Sequence, residues 1–254
     1  MNICLFSPEE ILNPLDIQDE RAQHILKILH KKESESFSAG IIGGQAGTAV
    51  IKKISVEEKK SSDGKKTFKG GKIYFYFTPE SDGKKLYPLK MIIGFPRPIQ
   101  LKRLLRDMAS LGVQEVHLTG TELGEKSYLK SDLATKGEAE KFLLDGSIQA
   151  GSTQVPKLFI HQTLKNCLDQ IDLEGKLLAL DNIEPSQSLS CALKEKPQKA
   201  IAAIGSERGW TNSERQLFKQ NGFELLSMGK RILRTETAST VAASLILDSM
   251  GVLD

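Results

Sequence analysis

The sequence predicts an α/β protein in which a mostly parallel sheet is covered by helices on both faces and is preceded by a small β-barrel. From residue 87 onward, short apolar segments alternate with helical segments, the pattern of a parallel sheet with crossover helices. Residues 1–77 instead carry short β-rich segments separated by Gly, Asp and Lys turns, which is typical of a small barrel or sandwich. The polar, turn-rich segment 78–86 is expected to link the two. The predicted domains are therefore 1–77 and 87–254.

One helix interrupts the strands of the N-terminal part. It is predicted from about Asp19 to Leu29, because Asp19 can cap it and Ala22, Ile25 and Leu29 fall on one face at helical spacing. The strands around this helix are predicted at residues 36–38, 48–51 and 73–77.

The C-terminal part contains six predicted strands and five predicted helices. The strands are expected at residues 89–94, 115–118, 157–160, 176–180, 200–204 and 223–227. The helices are expected at residues 99–111, 133–149, 163–171, 213–221 and 234–250.

The net charge of +3 over 254 residues is too small to identify a polyanionic partner by itself. Between Lys52 and Lys72 the chain carries eight lysines and three acidic residues. This segment is either a solvated hairpin tip or a loop that faces phosphates, and the sequence leaves both open.

Several functional classes are disfavoured. The three cysteines form no paired motif and the four histidines show no metal-ligand spacing, so neither a disulfide framework nor a metal site is predicted. The N-terminus does not resemble a secretory signal, and no apolar run approaches membrane-spanning length, so we expect a cytoplasmic protein without a membrane partner. Dinucleotide, phosphate-loop and serine-hydrolase motifs are missing, which favours group transfer by a reactive cofactor.

Three loops at predicted strand ends are candidates for a ligand site, because ligands bind outside the carboxyl ends of strands in open α/β sheets. Residues 181–185 are weak evidence, since Asp and Asn are common turn formers. In the second loop, residues 204–210, glycines would allow close approach to a ligand, although the spacing alone favours a plain strand-to-helix turn. Thr211 or Ser213 can cap the next helix, and Glu214 fits a capping box. Trp210 is either core or a stacking surface.

The third loop, residues 227–238, turns at Gly229 and begins a helix near Thr235. Arg231 and Arg234 flank Ile-Leu within one turn of the helix start. A helix cap would not require two arginines there, so this pattern favours a functional role.

These loops resemble those of the 16S ribosomal RNA uridine-N3 methyltransferase family, which belongs to the SPOUT class of trefoil-knotted methyltransferases. The similarity extends over most of the chain, including a segment that looks like the signature helix of the family's N-terminal PUA-like barrel. The segments that carry it are residues 24–29, 97–113, 149–156, 205–209, 222–223 and 228–238.

The resemblance implies a knotted sheet, S-adenosylmethionine as the cofactor, and a homodimer that binds small-subunit ribosomal RNA, in an assembled particle, across both subunits. The implied cofactor-binding residues are Leu180, Gly205, Glu207, Gly209, Met228, Gly229, Ile232 and Leu233. We expect Arg234 to favour the deprotonated uracil ring by its charge, with Glu236 or Glu207 orienting it. The expected RNA contacts are Arg21, His24, Lys27, Arg97 and Arg103, with the lysine-rich segment.

The chain departs from the family pattern at Ser206 and Arg208, where Pro and Gly are usual, at His30, and at Leu123. Two alternatives therefore stay open. The chain could methylate another base or a ribose 2′-hydroxyl, or it could be a non-catalytic RNA-binding or assembly factor on this scaffold.

Overall fold

The structure is a computed structural model that describes residues 2–60 and 66–253, with side chains described except at 56–60, 66–69, 133 and 135. The chain forms two compact units. The first comprises Met1–Lys85 and Ser147–Gln154, and the second comprises Leu86–Gly146 and Val155–Asp254. Much of the lysine-rich segment lies outside the described side chains.

The first unit is built on a five-stranded sheet in the order β1-β3-β4-β5-β2. Its strands are β1 (Cys4–Phe6), β2 (Leu15–Asp16), β3 (Ser36–Ile41), β4 (Ala46–Lys60) and β5 (Lys66–Ser81). β1 pairs parallel with β3, and the other neighbours pair antiparallel. Among the described residues β1 and β2 do not pair with each other, so the sheet that stands where the sequence predicted a small barrel is a curled half-barrel.

A helical segment packs on the core of this unit. Helix α1 (Glu20–Gln23) continues into a π-helical turn at His24–Ile28, and a 3₁₀ turn at Glu10–Leu12 precedes both. The Asp19 carboxylate caps α1 by accepting from the Arg21 N–H, which confirms the predicted cap. The buried side chains Ala22 and Ile25 come from this segment, as its spacing predicted.

The predicted strands of the N-terminal part were too short. β4 and β5 pair antiparallel over their whole length, and β5 continues to Ser81, into the segment that we expected to be a linker. This extension was not evident from the sequence, because residues 78–81 form a polar stretch. All four residues are exposed.

The second unit contains a seven-stranded sheet in the order β10-β12-β9-β11-β6-β7-β8, and every neighbouring pair is parallel. Its strands are β6 (Tyr87–Gly94), β7 (Val113–Thr119), β8 (Lys157–His161), β9 (Lys176–Leu180), β10 (Gln187–Ser188), β11 (Ala200–Ile204) and β12 (Glu224–Ser227). The six predicted strands are confirmed to within two residues at each end, and the sequence missed the two-residue β10.

Helices cover both faces of this sheet. They are α2 (Pro98–Ser110), α3 (Asp132–Thr135), α4 (Glu138–Ala150), α5 (Leu164–Gln170), α6 (Leu189–Ala192), α7 (Asn212–Gln220) and α8 (Thr235–Ser249). Because strand side chains alternate between faces, Met91 and Ile93 of β6 pack in the core that includes α2 and α8, whereas Ile92 packs in the core that includes α5 and α7. The predicted two-faced α/β arrangement is confirmed.

One helix prediction was wrong. Residues 133–149 do not form a single helix, because Gly137 adopts a φ of +67° and separates α3 from α4. No helix in the described part of the chain is both long and apolar enough to cross a membrane.

Candidate active site

A cavity of about 220 Å³ lies in the second unit where β9, β11 and β12 end. These strands are parallel neighbours, so their carboxyl ends meet at one edge of the sheet. The lining brings together parts of the three loops singled out in the sequence. It comprises Leu180–Ile183, Ile204–Gly209, Arg215, Leu226, Met228, Arg231–Leu233, Thr235 and Ala238.

A buried hydrogen bond joins the second and third loops. The Thr235 hydroxyl, in the first turn of α8, donates to the Gly205 carbonyl at 3.2 Å. Both partners lie in the cavity wall. The start of α8 is thus fixed directly to the end of β11.

The glycines of the 205–209 turn are explained by the backbone itself. A β-carbon at Gly205 would lie 2.8 Å from the Gly209 α-carbon, and Gly209 has a φ of +68°. The turn is closed by the Gly209 N–H, which donates to the Ser206 carbonyl at 2.9 Å. A β-carbon at Gly209 would meet nothing within 4 Å, so the space beside that residue is open.

A buried ion pair forms another part of the wall. Arg215 Nε lies 3.0 Å from Asp181 Oδ2, and both side chains are at most 4% exposed. The same carboxylate oxygen accepts hydrogen bonds from the Ile183 and Glu184 N–H groups. Burial alone would raise the pKa of Asp181, but these hydrogen bonds and that from Arg215 lower it below its ordinary value.

Trp210 is a core residue and not a stacking surface. Its side chain is 2% exposed, its indole N–H donates to the Leu180 carbonyl at 3.1 Å, and its ring meets Phe218 edge-on at 4.8 Å. The hydrogen bond ties the loop after β11 to the end of β9. Next to it, Thr211 and Glu214 form the predicted capping box of α7.

Seven of the eight residues expected to bind a cofactor line the cavity, namely Leu180, Gly205, Glu207, Gly209, Met228, Ile232 and Leu233. Gly229 is not among the lining residues; it has a φ of +101° in the turn between Met228 and Lys230. Sequence reasoning missed Asp181 and Arg215. An Asp directly after a strand was noted only as a turn former, and an arginine on a helix is usually exposed.

The residues expected to be catalytic do not form one cluster. Arg234 is exposed, and its guanidinium makes no hydrogen bond or ion pair with the described residues. Neither Arg234 nor Glu236 lines the cavity. Glu207 contacts Arg97 instead: its Oε1 accepts from the Arg97 N–H at 3.2 Å and lies 3.8 Å from Arg97 Nε.

Arg21, which we expected to contact RNA, is used internally. Its guanidinium donates to Asp19, Glu10 and the Leu5 carbonyl through Nε, Nη1 and Nη2, and it lies 4.7 Å from the centre of the Phe6 ring. With each of its nitrogens engaged, the side chain stabilises the first unit. We therefore correct its assignment from an RNA contact to a structural role.

The other residues expected to contact RNA are at least partly accessible. Lys27, Arg97 and Arg103 are exposed, whereas His24 is half-buried and its Nε2 has no hydrogen-bond partner among the described residues. On α2, Arg106 pairs with Asp145 at 2.9 Å, whereas Arg103, three residues earlier, forms no ion pair among the described residues.

A second cavity, of about 810 Å³, lies where β6, β7 and β8 end. It shares a wall with the first, because Thr121 in its lining donates a hydrogen bond to Ser206 Oγ at 2.9 Å, in the lining of the smaller cavity. The buried Glu214 carboxylate supports this wall by accepting from the Glu122 N–H at 2.9 Å.

Residues 83–247 match the family model described as an RNA methyltransferase domain. The chain belongs to the RNA methyltransferase family. Every residue that lines either cavity falls within the matched segment. The smaller cavity therefore lies within the matched RNA methyltransferase domain.

Two relatives in this family match almost the whole chain. The chain is 39% identical to a protein of Treponema pallidum over 97% of this chain and 91% of the relative, and 35% identical to a protein of Borreliella burgdorferi over 98% of each. They are called ribosomal RNA small subunit methyltransferase E and E 1.

A solved structure has the same fold. A ribosomal RNA small subunit methyltransferase E from Neisseria gonorrhoeae, bound to S-adenosyl methionine, superposes with a TM-score of 0.73 at 20% identity, covering 98% of this chain and 97% of the other.

Proposed function

We propose that this chain transfers the methyl group of S-adenosylmethionine to N3 of a uridine in the RNA of the small ribosomal subunit. The observation that carries the proposal is the cavity at the ends of β9, β11 and β12, where the Gly205–Gly209 turn meets the start of α8. The two relatives that match nearly the whole chain are named as methyltransferases of small-subunit ribosomal RNA, and these names support ribosomal RNA as the substrate class.

The lining suits an adenosyl and methionyl ligand. Leu180, Ile204 and Leu233 offer apolar contact for a flat base, and the turn offers backbone groups that can recognise its edges. Asp181 and Arg215 add a fixed polar edge. When bound, S-adenosylmethionine supplies an electrophilic methyl group on its sulfonium, and the protein's task is to hold the acceptor nitrogen in line with it. Such positioning can supply about 7–11 kcal/mol of the barrier reduction.

The acceptor nitrogen requires the help of a cation. Uracil N3 carries a proton and is a poor nucleophile until that proton leaves. We assign Arg234 to the base, because it is an exposed guanidinium without a protein partner among the described residues, at the N-terminus of α8. Its charge beside the uracil oxygens would favour the deprotonated ring. Glu207 acts through Arg97, with which it pairs, and not through Arg234.

We further propose that the sheet carries the trefoil knot of the SPOUT class. We also propose that the half-barrel unit is PUA-like and docks RNA, and that the active form is a homodimer.

An apolar surface for the dimer is provided by exposed Val241 and Leu245, one turn apart on α8, together with exposed Ile99 at the start of α2. Sedimentation of the Val241→Glu/Leu245→Glu variant should show a monomer, and an unchanged dimer would place the interface elsewhere.

The test of the proposed function is a transfer assay on purified small subunits and on free 16S ribosomal RNA. The expected product is 3-methyluridine at one nucleotide, identified by mass spectrometry of the digested RNA. A 2′-O-methylated nucleoside, or methylation of another base, would overturn the assigned acceptor. Absence of both transfer and cofactor binding would overturn the enzyme assignment in favour of an RNA-binding factor.

A further inference from the structure

A second cluster of reactive side chains lies away from the cofactor cavity. It consists of His117 on β7, His161 at the end of β8, and Cys167 on α5, and all three are buried. One ring nitrogen from each histidine and the cysteine sulfur lie within 4.8 Å of one another. The proposed methyl transfer uses none of these groups.

The fold explains how residues so far apart in sequence converge. His117 lies opposite Phe159 in the β7–β8 pairing, and Thr119 lies opposite His161, so both histidines point to the same face of the sheet. That face is covered by α5, whose buried residues Leu164, Cys167 and Leu168 follow helical spacing. Because His117 and His161 are 44 residues apart in the sequence, the spacing of the histidines predicted no metal site.

The distances between the possible ligand atoms are close to those of a metal centre. His117 Nδ1 lies 3.0 Å from His161 Nε2. Ligand atoms of a tetrahedral zinc site with nitrogen bonds of about 2.0–2.1 Å and a sulfur bond of about 2.3 Å are separated by about 3.3–3.6 Å. Small side-chain rotations would bring the two nitrogens and the sulfur to those separations.

The contacts that His117 makes outside the cluster also match those of a metal-binding histidine. His117 Nε2, the nitrogen that faces away from the cluster, lies 3.2 Å from Glu115 Oε2. Histidines that bind metals usually engage a carboxylate, carbonyl or water with the other ring nitrogen, which fixes the tautomer and raises the basicity of the ligand. Phe159 stacks on the His117 ring at 4.6 Å and holds its orientation.

We propose that His117, His161 and Cys167 bind one divalent cation of the zinc class, with a water molecule as the fourth ligand. Imidazole and thiolate are the donors that zinc prefers, and three protein ligands leave one position open. Burial raises the pKa of the Cys167 thiol to about 12, so metal binding must displace its proton to the solvent.

The bound ion would brace the wall of the larger cavity. His161 directly precedes Gln162–Lys165, which line that cavity, and β7 ends just before Gly120 and Thr121 in the same lining. The ion would link β7, β8 and α5 at the point from which these lining segments start.

Cobalt(II) titration of the full, metal-free chain tests the site, because cobalt bound to a thiolate has a charge-transfer absorption that is absent from cobalt bound only to imidazole. We expect one equivalent per chain, and bleaching of the band by one equivalent of zinc. Cys167→Ser should abolish the band, whereas Cys191→Ser, which changes an exposed cysteine, should leave it intact. Glu115→Gln should weaken binding by about 10–100-fold.

No band with the wild-type chain, or a band that survives Cys167→Ser, would overturn the proposal and leave Glu115, His117 and His161 as a hydrogen-bonded chain. If Cys167→Ser does not fold, X-ray absorption of the zinc-loaded wild-type chain decides. One sulfur at about 2.3 Å and two nitrogens at about 2.0–2.1 Å are expected, and a shell without sulfur would overturn the site.

Discussion

The hydroxyl of Thr235 donates a buried hydrogen bond of 3.2 Å to the carbonyl of Gly205, and so fixes the first turn of the last helix to the glycine turn that ends β11. Both segments form part of the wall of the 220 Å³ cavity. The shape of the proposed cofactor site depends on this junction.

Replacing Thr235 with valine should loosen the cofactor site without unfolding the chain. The side chain keeps its shape but loses one hydrogen bond, worth about 1 kcal/mol. Calorimetry with S-adenosylmethionine should show an affinity reduced by about two- to five-fold. Thr237→Val is the matched control, because Thr237 is exposed and outside the cavity lining. Equal losses in the two variants would mean that the junction has no special role.

Breaking the buried ion pair should destabilise the second unit. Arg215→Met leaves the Asp181 carboxylate buried without its charged partner, which should cost about 3–5 kcal/mol in the free energy of unfolding. Lys219→Met on the same helix removes the exposed pair with Glu184 and should cost no more than about 1 kcal/mol. Urea unfolding measures the loss in the free energy of unfolding for both variants. Similar losses would show that the buried ion pair is no more important to stability than the exposed one.

The same ion pair predicts a pH dependence. The folded pKa of Asp181 is lower than the unfolded value of about 3.9, so its contribution to stability is full above that pH and is lost as pH falls through the folded pKa. The stability difference between wild type and Asp181→Asn should therefore shrink as pH falls below about 4. A difference that stays constant down to acid pH would show that the folded pKa is not lowered.

Arg234→Ala should strongly reduce the rate of methyl transfer while leaving cofactor affinity nearly unchanged, because Arg234 is outside the cavity lining. Removing one preorganised charge from a developing anion typically costs about 100- to 1,000-fold in rate. Lys230→Ala, which removes another exposed cation from the same loop, should retain activity. Turnover close to normal in Arg234→Ala would remove this residue from the mechanism.

Arg103→Gln should weaken RNA binding at all sequences and flatten its salt dependence. One phosphate contact fewer lowers the slope of log K against log salt by about 1. Arg106→Gln is the control, since Arg106 is already paired with Asp145. An unchanged slope for Arg103→Gln would show that this face of α2 does not meet RNA.

The strands and most helices of the second unit could be predicted because burial on both faces of a parallel sheet produces continuous apolar runs. At Gly137 helical periodicity continues across the residue, and only its backbone conformation reveals the break between α3 and α4. In the first unit, the polar end of β5 carried no strand signal, so its length was underestimated.

The candidate site was predictable where glycines and caps mark strand ends, as at Gly205 and Thr211. It was not predictable where the role of a side chain depends on an ion-pair partner that only the folded structure brings next to it. Arg21 looked like a surface cation until its acidic partners were placed around it, and Arg215 looked like one until α7 buried it against Asp181. Glu10 lies 11 residues from Arg21 and Asp181 lies 34 residues from Arg215, and a single sequence does not reveal pairs at these separations.

Hydrogen–deuterium exchange of the full chain with and without S-adenosylmethionine shows whether the two loops that line the cavity bind the cofactor together. We expect slower exchange with the cofactor in residues 204–209 and 226–238, the segments that meet at the Thr235–Gly205 hydrogen bond. Protection confined to other segments, or no protection at saturating cofactor, would contradict this expectation.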